Sequence, residues 1–426
     1  MQNRAVPPAV WRNAAFQRIF TAQLLAELGA QISFLAVPLV ASTLLGASPL
    51  QMGMLTATNA LPPLLLGLHA GVFIDRRPKR PILLATDIAR MALIGVAPIA
   101  WLGGWLSLNV LIAVSLAIGA CSLLFQIAYQ AFLPTILPRD VLLRANSTLE
   151  LSRTAAELAG PGISGWLIGL VSAPGALLAN AATYLGSALV LKGLPSDPAP
   201  VPSPSTTSSL RQDIRAGITV LLNDPGLRAM TIGGALLEFF NAMIEALLVL
   251  FVTRTLGLHP ATIGVIFTVG GLGFALGAFF PDRIARTVGV GKATILALAL
   301  VGLSDLIVPF AHGPLVIVVI MLVIAQFAFG VGLIIFKVNR ATVRQALVPM
   351  GLQGRATATM RVASASLIPI GALAGGIAGA GLGLRETLVL AALGELGAVA
   401  WLLRTPFSGM TRIDDNAANA ASSAGN

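Results

Sequence analysis

Apolar stretches of about twenty residues, separated by short loops where the basic residues gather, run from Phe16 to Arg404. A segment that long and that poor in charge spans a bilayer, and a series of them leaves only a bundle of transmembrane helices. Of the 426 residues 56% are hydrophobic and 10% charged, against about 25% charged in a soluble domain. At about twenty apolar residues per crossing, that share supplies about twelve helices. The 44 glycines and 26 prolines suit closely packed, bent spans. A soluble enzyme is excluded.

Proline, glycine and charge breaks place spans near 16–45, 50–74, 81–103, 107–132, 146–171 and 174–194. Six more lie near 227–254, 260–281, 291–311, 314–336, 356–380 and 385–404. The division expected is a six-helix bundle over 1–194, a cytoplasmic linker with a short surface helix over 195–225, a second bundle over 226–404, and a disordered tail over 405–426. Arg4, Arg12 and Arg18 precede an apolar run to Gly46, too long for a signal-peptide core, so the first span reads as an uncleaved helix. With both termini cytoplasmic, the outward loops hold only Arg254 and Arg385, and the other basic residues lie inside or near it. This predicts a multi-pass protein of the plasma (inner) membrane. The net charge of +10 is therefore topological and implies no nucleic acid. Cys121 is the single cysteine, and His69, His259 and His312 are scattered, so neither disulfide, metal nor other cofactor is expected.

A shift of 211 residues superposes the halves. Leu45, Gly46, Pro49 and Gly53 meet Leu256, Gly257, Pro260 and Gly264; Pro138, Arg144 and Ala145 meet Pro349, Arg355 and Ala356; Thr148, Gly160 and Gly165 meet Thr359, Gly371 and Gly376. Each half thus holds six helices. Because six is even, both halves enter the membrane in the same sense, giving an all-α membrane protein of two parallel six-helix repeats. The same shift pairs Glu27 with Glu238. A carboxylate within the bilayer costs a few kcal/mol unless partnered or hydrated, by order of magnitude, and this sequence carries one at each of two matched places.

Gly71-Val-Phe-Ile-Asp75-Arg76-Arg77-Pro78-Lys79-Arg80, after the second span, resembles the loop signature of the major facilitator superfamily, with Pro78 where glycine is usual. The resemblance implies a conformational gate built from Gly71, Asp75, Arg76, Lys79 and Arg80. Gly160-Pro161-Gly162-Ile163-Ser164-Gly165 in span five is similar to the antiporter signature of that superfamily's exporters, with Ser164 replacing a glycine. Leu137-Pro138-Arg139-Asp140 through Asn146 resembles a pattern frequent among its drug and siderophore exporters. Span four departs from many proton-coupled members: it has Gln126, Tyr129 and Gln130 and no arginine.

The resemblance implies a cavity lined mainly by spans one, four, seven and ten. Those spans also carry off-pattern polar groups: Glu27 and Gln31; Gln126, Tyr129 and Gln130; Glu238, Asn241 and Glu245; Gln326, Lys337, Asn339 and Arg340. Glu238 and Glu245, seven residues apart, share a helical face. Glu27 and Glu238 are the candidates for proton coupling. Lys337 and Arg340 either attract anionic substrate groups or snorkel at the inner edge. Asp305 and Glu395, on peripheral spans, read as structural. The function expected is export of small organic molecules, drug-like compounds or siderophores, by alternating access with proton antiport from a monomer. A proton-coupled importer is the alternative. A membrane-embedded enzyme is weaker, as His-Glu-x-x-His, Gly-x-Ser-x-Gly and Walker signatures are all missing.

Overall fold

The chain is described by a computed structural model over residues 10–195 and 210–410. The expected linker from 196 to 209 and the tail from 411 lie outside the described residues. Within them the secondary structure is helical. The elements are α1 (Ala14–Leu39), α2 (Pro49–Asp75), α3 (Lys79–Leu102), α4 (Leu108–Ile136), α5 (Arg139–Leu191), α6 (Leu210–Asn223) and α7 (Pro225–Leu250). They continue as α8 (Pro260–Gly277), α9 (Pro281–Val288), α10 (Val290–Ile307), α11 (Leu315–Leu347), α12 (Gln353–Ala365), α13 (Leu367–Gly381) and α14 (Leu384–Leu403).

Among the described residues ten helical segments are long and apolar enough to cross a membrane, and α2, which is bent, makes an eleventh. The remaining crossing is inside α5. Its 53 residues would extend about 80 Å at 1.5 Å per residue, far beyond a hydrocarbon core of about 30 Å. The chain folds back at Ser172, whose φ of 72° and ψ of 166° leave helical geometry. Counted as two arms, α5 completes twelve crossings in an all-α fold.

The conserved offset has a local physical cause in each half. α1 ends in a π-helical turn at Val40–Leu44 and α7 in one at Phe251–Thr255. Gly46 (φ 63°) and Gly257 (φ 64°) then take the left-handed conformation that stops each helix. Pro49 and Pro260 open α2 and α8, where a missing N–H costs nothing. Gly53 and Gly264 permit backbone contact. A Cβ on Gly53 would stand 2.4 Å from the Ala372 carbonyl and 3.1 Å from Gly376 Cα, and one on Gly264 would stand 2.8 Å from Gly165 Cα. Glycines at matched places therefore receive glycines at matched places.

The chain clusters into two compact units. Among the described residues the first comprises 10–46, 61–195 and 259–264; the second comprises 47–60, 210–258 and 265–410. In the first, α5 packs on α1 and α3, and α3 on α4. In the second, α7 packs on α13 and α14, and α10 on α11 and α14. The first core includes Phe16, Ile74, Leu83, Phe132 and Leu191; the second includes Leu237, Leu298, Val301, Phe336 and Leu402. Large apolar side chains also stand outside, such as Leu102, Leu189 and Val316, as expected of surfaces solvated by lipid.

Asn13 caps α1 by accepting from the Ala15 and Phe16 amides, and Asp224 caps α7 by accepting from Leu227 N at 2.8 Å. The C-terminal segment departs from the expected tail. Residues Pro406–Gly409 form a 3-10 turn that seats Phe407 in the second core, and Gly291 N donates to the Met410 carbonyl at 3.0 Å. Met410 is buried in the same core, so two apolar side chains fix the segment.

Ser172 occupies backbone space that is essentially reserved for glycine, at a cost of about 1–3 kcal/mol. Ser172→Gly is expected to raise the melting temperature of the purified protein and Ser172→Val to lower it, read by intrinsic fluorescence or differential scanning calorimetry.

Candidate functional site

In the first unit, polar side chains gather where α1, α3, α4 and α5 meet. Gln23 Nε2 donates to Glu27 Oε1 at 2.7 Å. Glu27 is half-buried and lies within the electrostatic reach of Arg153, Glu157 and Arg90. Arg153 itself pairs along α5 with Glu150 and Glu157. Tyr129 is half-buried and Gln126 and Gln130 are exposed on α4. Gln31 lies on the glycine of the α5 motif: a Cβ at Gly160 would come within 2.4 Å of Gln31 Cγ. In the same motif Gly165 meets Gly264, and the Pro161 carbonyl stands 2.6 Å from where a Gly264 Cβ would be. This motif therefore works sterically, by letting backbones touch.

Beside Glu27 sits a pair that the sequence reading missed. Asp87 and Arg90, one turn apart on α3, form an ion pair with side-chain exposures of 0% and 5%. The Arg90 guanidinium carbon lies 4.2 Å from the Phe125 ring centroid and 4.6 Å from that of Tyr184. Ser187 Oγ donates to Asp87 Oδ2. A cation held between two aromatic faces and closed by an acid has its charge answered by protein, with only Arg90 Nε left without a hydrogen-bond partner. The readable signal was an acid and a base at i and i+3 in mid-span, which self-neutralise and so look harmless.

In the second unit Glu238 and Asn241 are half-buried on α7, and Glu245 is exposed. Glu245 feels the charges of Glu238 and Lys337. α11 runs on to Leu347, so Lys337 and Arg340 lie within a continuous helix. Lys337 is exposed, whereas Asn339 and Gln326 are buried, Gln326 against Gly270. Arg340 Nη2 donates to Ser364 Oγ at 2.7 Å, and its guanidinium covers Gly234, where a Cβ would stand 2.7 Å from Cζ. Glu238 is the acid whose charge acts on Arg340. The arginine head is thus turned toward α7 and α12.

The loop motif sits at the α2–α3 connection. Asp75 is the last residue of α2 and exposed, an unfavourable place for an anion at the negative helix end. Lys79 Nζ donates to the Asp75 carbonyl at 3.3 Å, and Arg80 Nη2 donates to the Lys192 carbonyl at 2.7 Å. These cations satisfy carbonyls left open at helix C-termini. Arg76 is exposed, and a Cβ on Gly71 would meet nothing within 4 Å. Among the described residues no three His, Cys, Asp or Glu side chains group as metal ligands.

The family model described as transmembrane secretion effector matches residues 5–424. The chain belongs to that family, within the major facilitator superfamily. It is 24% identical to the uncharacterized MFS-type transporter YfiS of Bacillus subtilis, over 84% of this chain and 85% of YfiS. It is 25% identical to the multidrug efflux pump Tap of Mycolicibacterium fortuitum, over 88% of this chain and 91% of Tap. Its fold is similar to the crystal structure of a bacterial homologue of the iron transporter ferroportin in an inward-facing state. The TM-score is 0.74 at 17% identity, covering 94% of this chain and 99% of that one. Transport is thus the family's activity, carried out by a multi-pass membrane protein.

Removing one member of a buried ion pair leaves an uncompensated charge, at a cost of about 3–5 kcal/mol. Arg90→Met is expected to lower the thermal stability of this family member sharply. Asp87→Leu with Arg90→Met is expected to recover a large part of the loss in the same melting assay.

Proposed function

We propose that this transporter exports small organic molecules, drug-like compounds or siderophores, by alternating access coupled to inward proton movement. The observation that carries the reading is the matched pair of half-buried carboxylates, Glu27 on α1 and Glu238 on α7. Each lies within electrostatic reach of an arginine: Glu27 of Arg153 and Arg90, Glu238 of Arg340. The likeness to the efflux pump Tap and the glycine-proline motif of α5 support the outward direction. The positive-inside charge pattern supports an inner-membrane placement with cytoplasmic termini, and the work needs only one chain.

A carboxylate holds a cationic or donor-bearing substrate by charge and hydrogen bonds. When a proton arrives from the more acidic outer side, the group becomes neutral, its hold weakens, and the substrate leaves. Return of the proton to the inner side restores the anion, so one cycle moves substrate out and a proton in. Gln31, Gln126, Tyr129, Gln130, Asn241 and Glu245 supply further hydrogen-bonding groups on the same helices, and Lys337 and Arg340 set the field in the second half. The loop residues Gly71, Asp75, Arg76, Lys79 and Arg80 serve as the inner gate.

The test uses proteoliposomes with an imposed pH gradient and ethidium, a lipophilic cation, as probe. Wild type is expected to transport ethidium and move protons the opposite way. Glu27→Gln with Glu238→Gln is expected to lose the gradient-driven transport. Unchanged transport by the double variant contradicts the assignment.

A further inference from the structure

The helix pair that holds Asp87 and Arg90 in the first unit has a counterpart in the second, where the chemistry is different. There α10 packs on α14, close enough that a Cβ on Gly302 would stand 2.9 Å from Leu396 Cδ2. Across this contact Asp305 of α10 meets Glu395 of α14, side chain to side chain at hydrogen-bonding range. Asp305 is 4% exposed and Glu395 0%. The surrounding cluster is apolar, including Leu298, Val301, Ala398, Val399 and Leu402. The offset that aligns the halves sets Tyr184 at the place of Glu395, and Val301 at the place of Arg90. Leu298 stands at the place of Asp87 and Ile94 at that of Asp305, so the corresponding helix contact of the second unit buries two acids, at other positions than the acid and base of the first.

A second observation identifies what is missing. Asp305 Oδ2 and both Glu395 carboxyl oxygens are buried without a donor from the protein. Two carboxylates only accept hydrogen bonds, so they cannot bond to each other until one carries a proton. The neighbours offer no substitute. α9 carries Asp282, Arg283 and Arg286; α11 carries Lys337, Arg340 and Arg344; α7 carries Arg228, Glu238 and Glu245. α10 and α14 themselves carry Lys292, Arg385 and Glu386 besides the pair, while α13 and the turns Val308–Phe310 and Pro406–Gly409 carry no ionisable side chain. Among the described residues none of these groups forms an ion pair with either carboxyl.

We propose that Asp305 and Glu395 form a proton-binding site in the second unit, separate from Glu27 and Glu238, in which a proton held between the carboxyls takes the part that Arg90 plays in the first. The bound proton turns repulsion between two buried acids into a hydrogen bond that fastens α10 to α14. Its removal at alkaline pH leaves two like charges in an apolar cluster and loosens that contact.

The test is infrared spectroscopy of the full chain in lipid, in a Glu27→Gln, Glu238→Gln background so that those carboxyls do not contribute. A protonated-carboxyl carbonyl band is expected at neutral pH, shifting in deuterated water. It is expected to be reduced in Asp305→Asn and in Glu395→Gln and lost when both are combined. Melting temperature read from about pH 6 to about pH 10 gives a second measurement on the same proteins. The parent is expected to lose stability as pH rises and the site gives up its proton, whereas the double amide variant, neutral throughout, is expected to lose less. If the double variant does not fold, the two single variants decide by the band alone. A band of parental size in both single variants overturns the proposal.

Discussion

The hydrocarbon interior offers no water, so every polar group placed there must be answered by the chain itself. That constraint selects helices for the backbone and then sorts the side chains. Asp87 answers Arg90 between two aromatic rings, and Arg340 finds Ser364. Asp305 and Glu395 have only each other. Glu27 and Glu238, by contrast, stay half-buried and make no ion pair at contact distance among the described residues.

Duplication explains why the same backbone devices recur. A π-helical turn, a left-handed glycine, an initiating proline and a contact glycine follow one another in both halves. Each device depends on backbone geometry that few residue types satisfy, so these positions outlast the drift of the apolar residues around them. The side-chain chemistry carried on that frame is freer to diverge, as Arg90 against Val301 and Tyr184 against Glu395 illustrate.

The helical bundle was legible because length and hydrophobicity alone define a crossing, and the repeat because glycine and proline carry positional meaning. The turn at Ser172 was legible only as a gap between spans, since serine gives no sign of a positive φ. Glu27 and Glu238 stood out as lone acids in apolar runs. Asp87 and Arg90 did not, because opposite charges one turn apart cancel in any count of net charge. Phe407 was hidden for the opposite reason: the polar residues around it signalled a tail, while Phe407 and Met410 decided the packing. The orientation of Arg340 depends on Gly234 and Ser364, two residues distant in sequence that no local pattern connects.

The central claim is that the polar faces of α1, α4, α7 and α11 meet water within the membrane, whereas the polar clusters of the α3–α5 and α10–α14 contacts do not. Cysteine accessibility tests it directly, because Cys121 is the single native thiol and can be removed. In a Cys121→Ala background, Gln31→Cys, Gln126→Cys, Asn241→Cys and Lys337→Cys are expected to react with a charged methanethiosulfonate reagent. Ser187→Cys, Leu298→Cys and Val301→Cys are expected to stay unmodified. Should the first group prove as inert as the second, the account of a hydrated transport path along these helices is wrong.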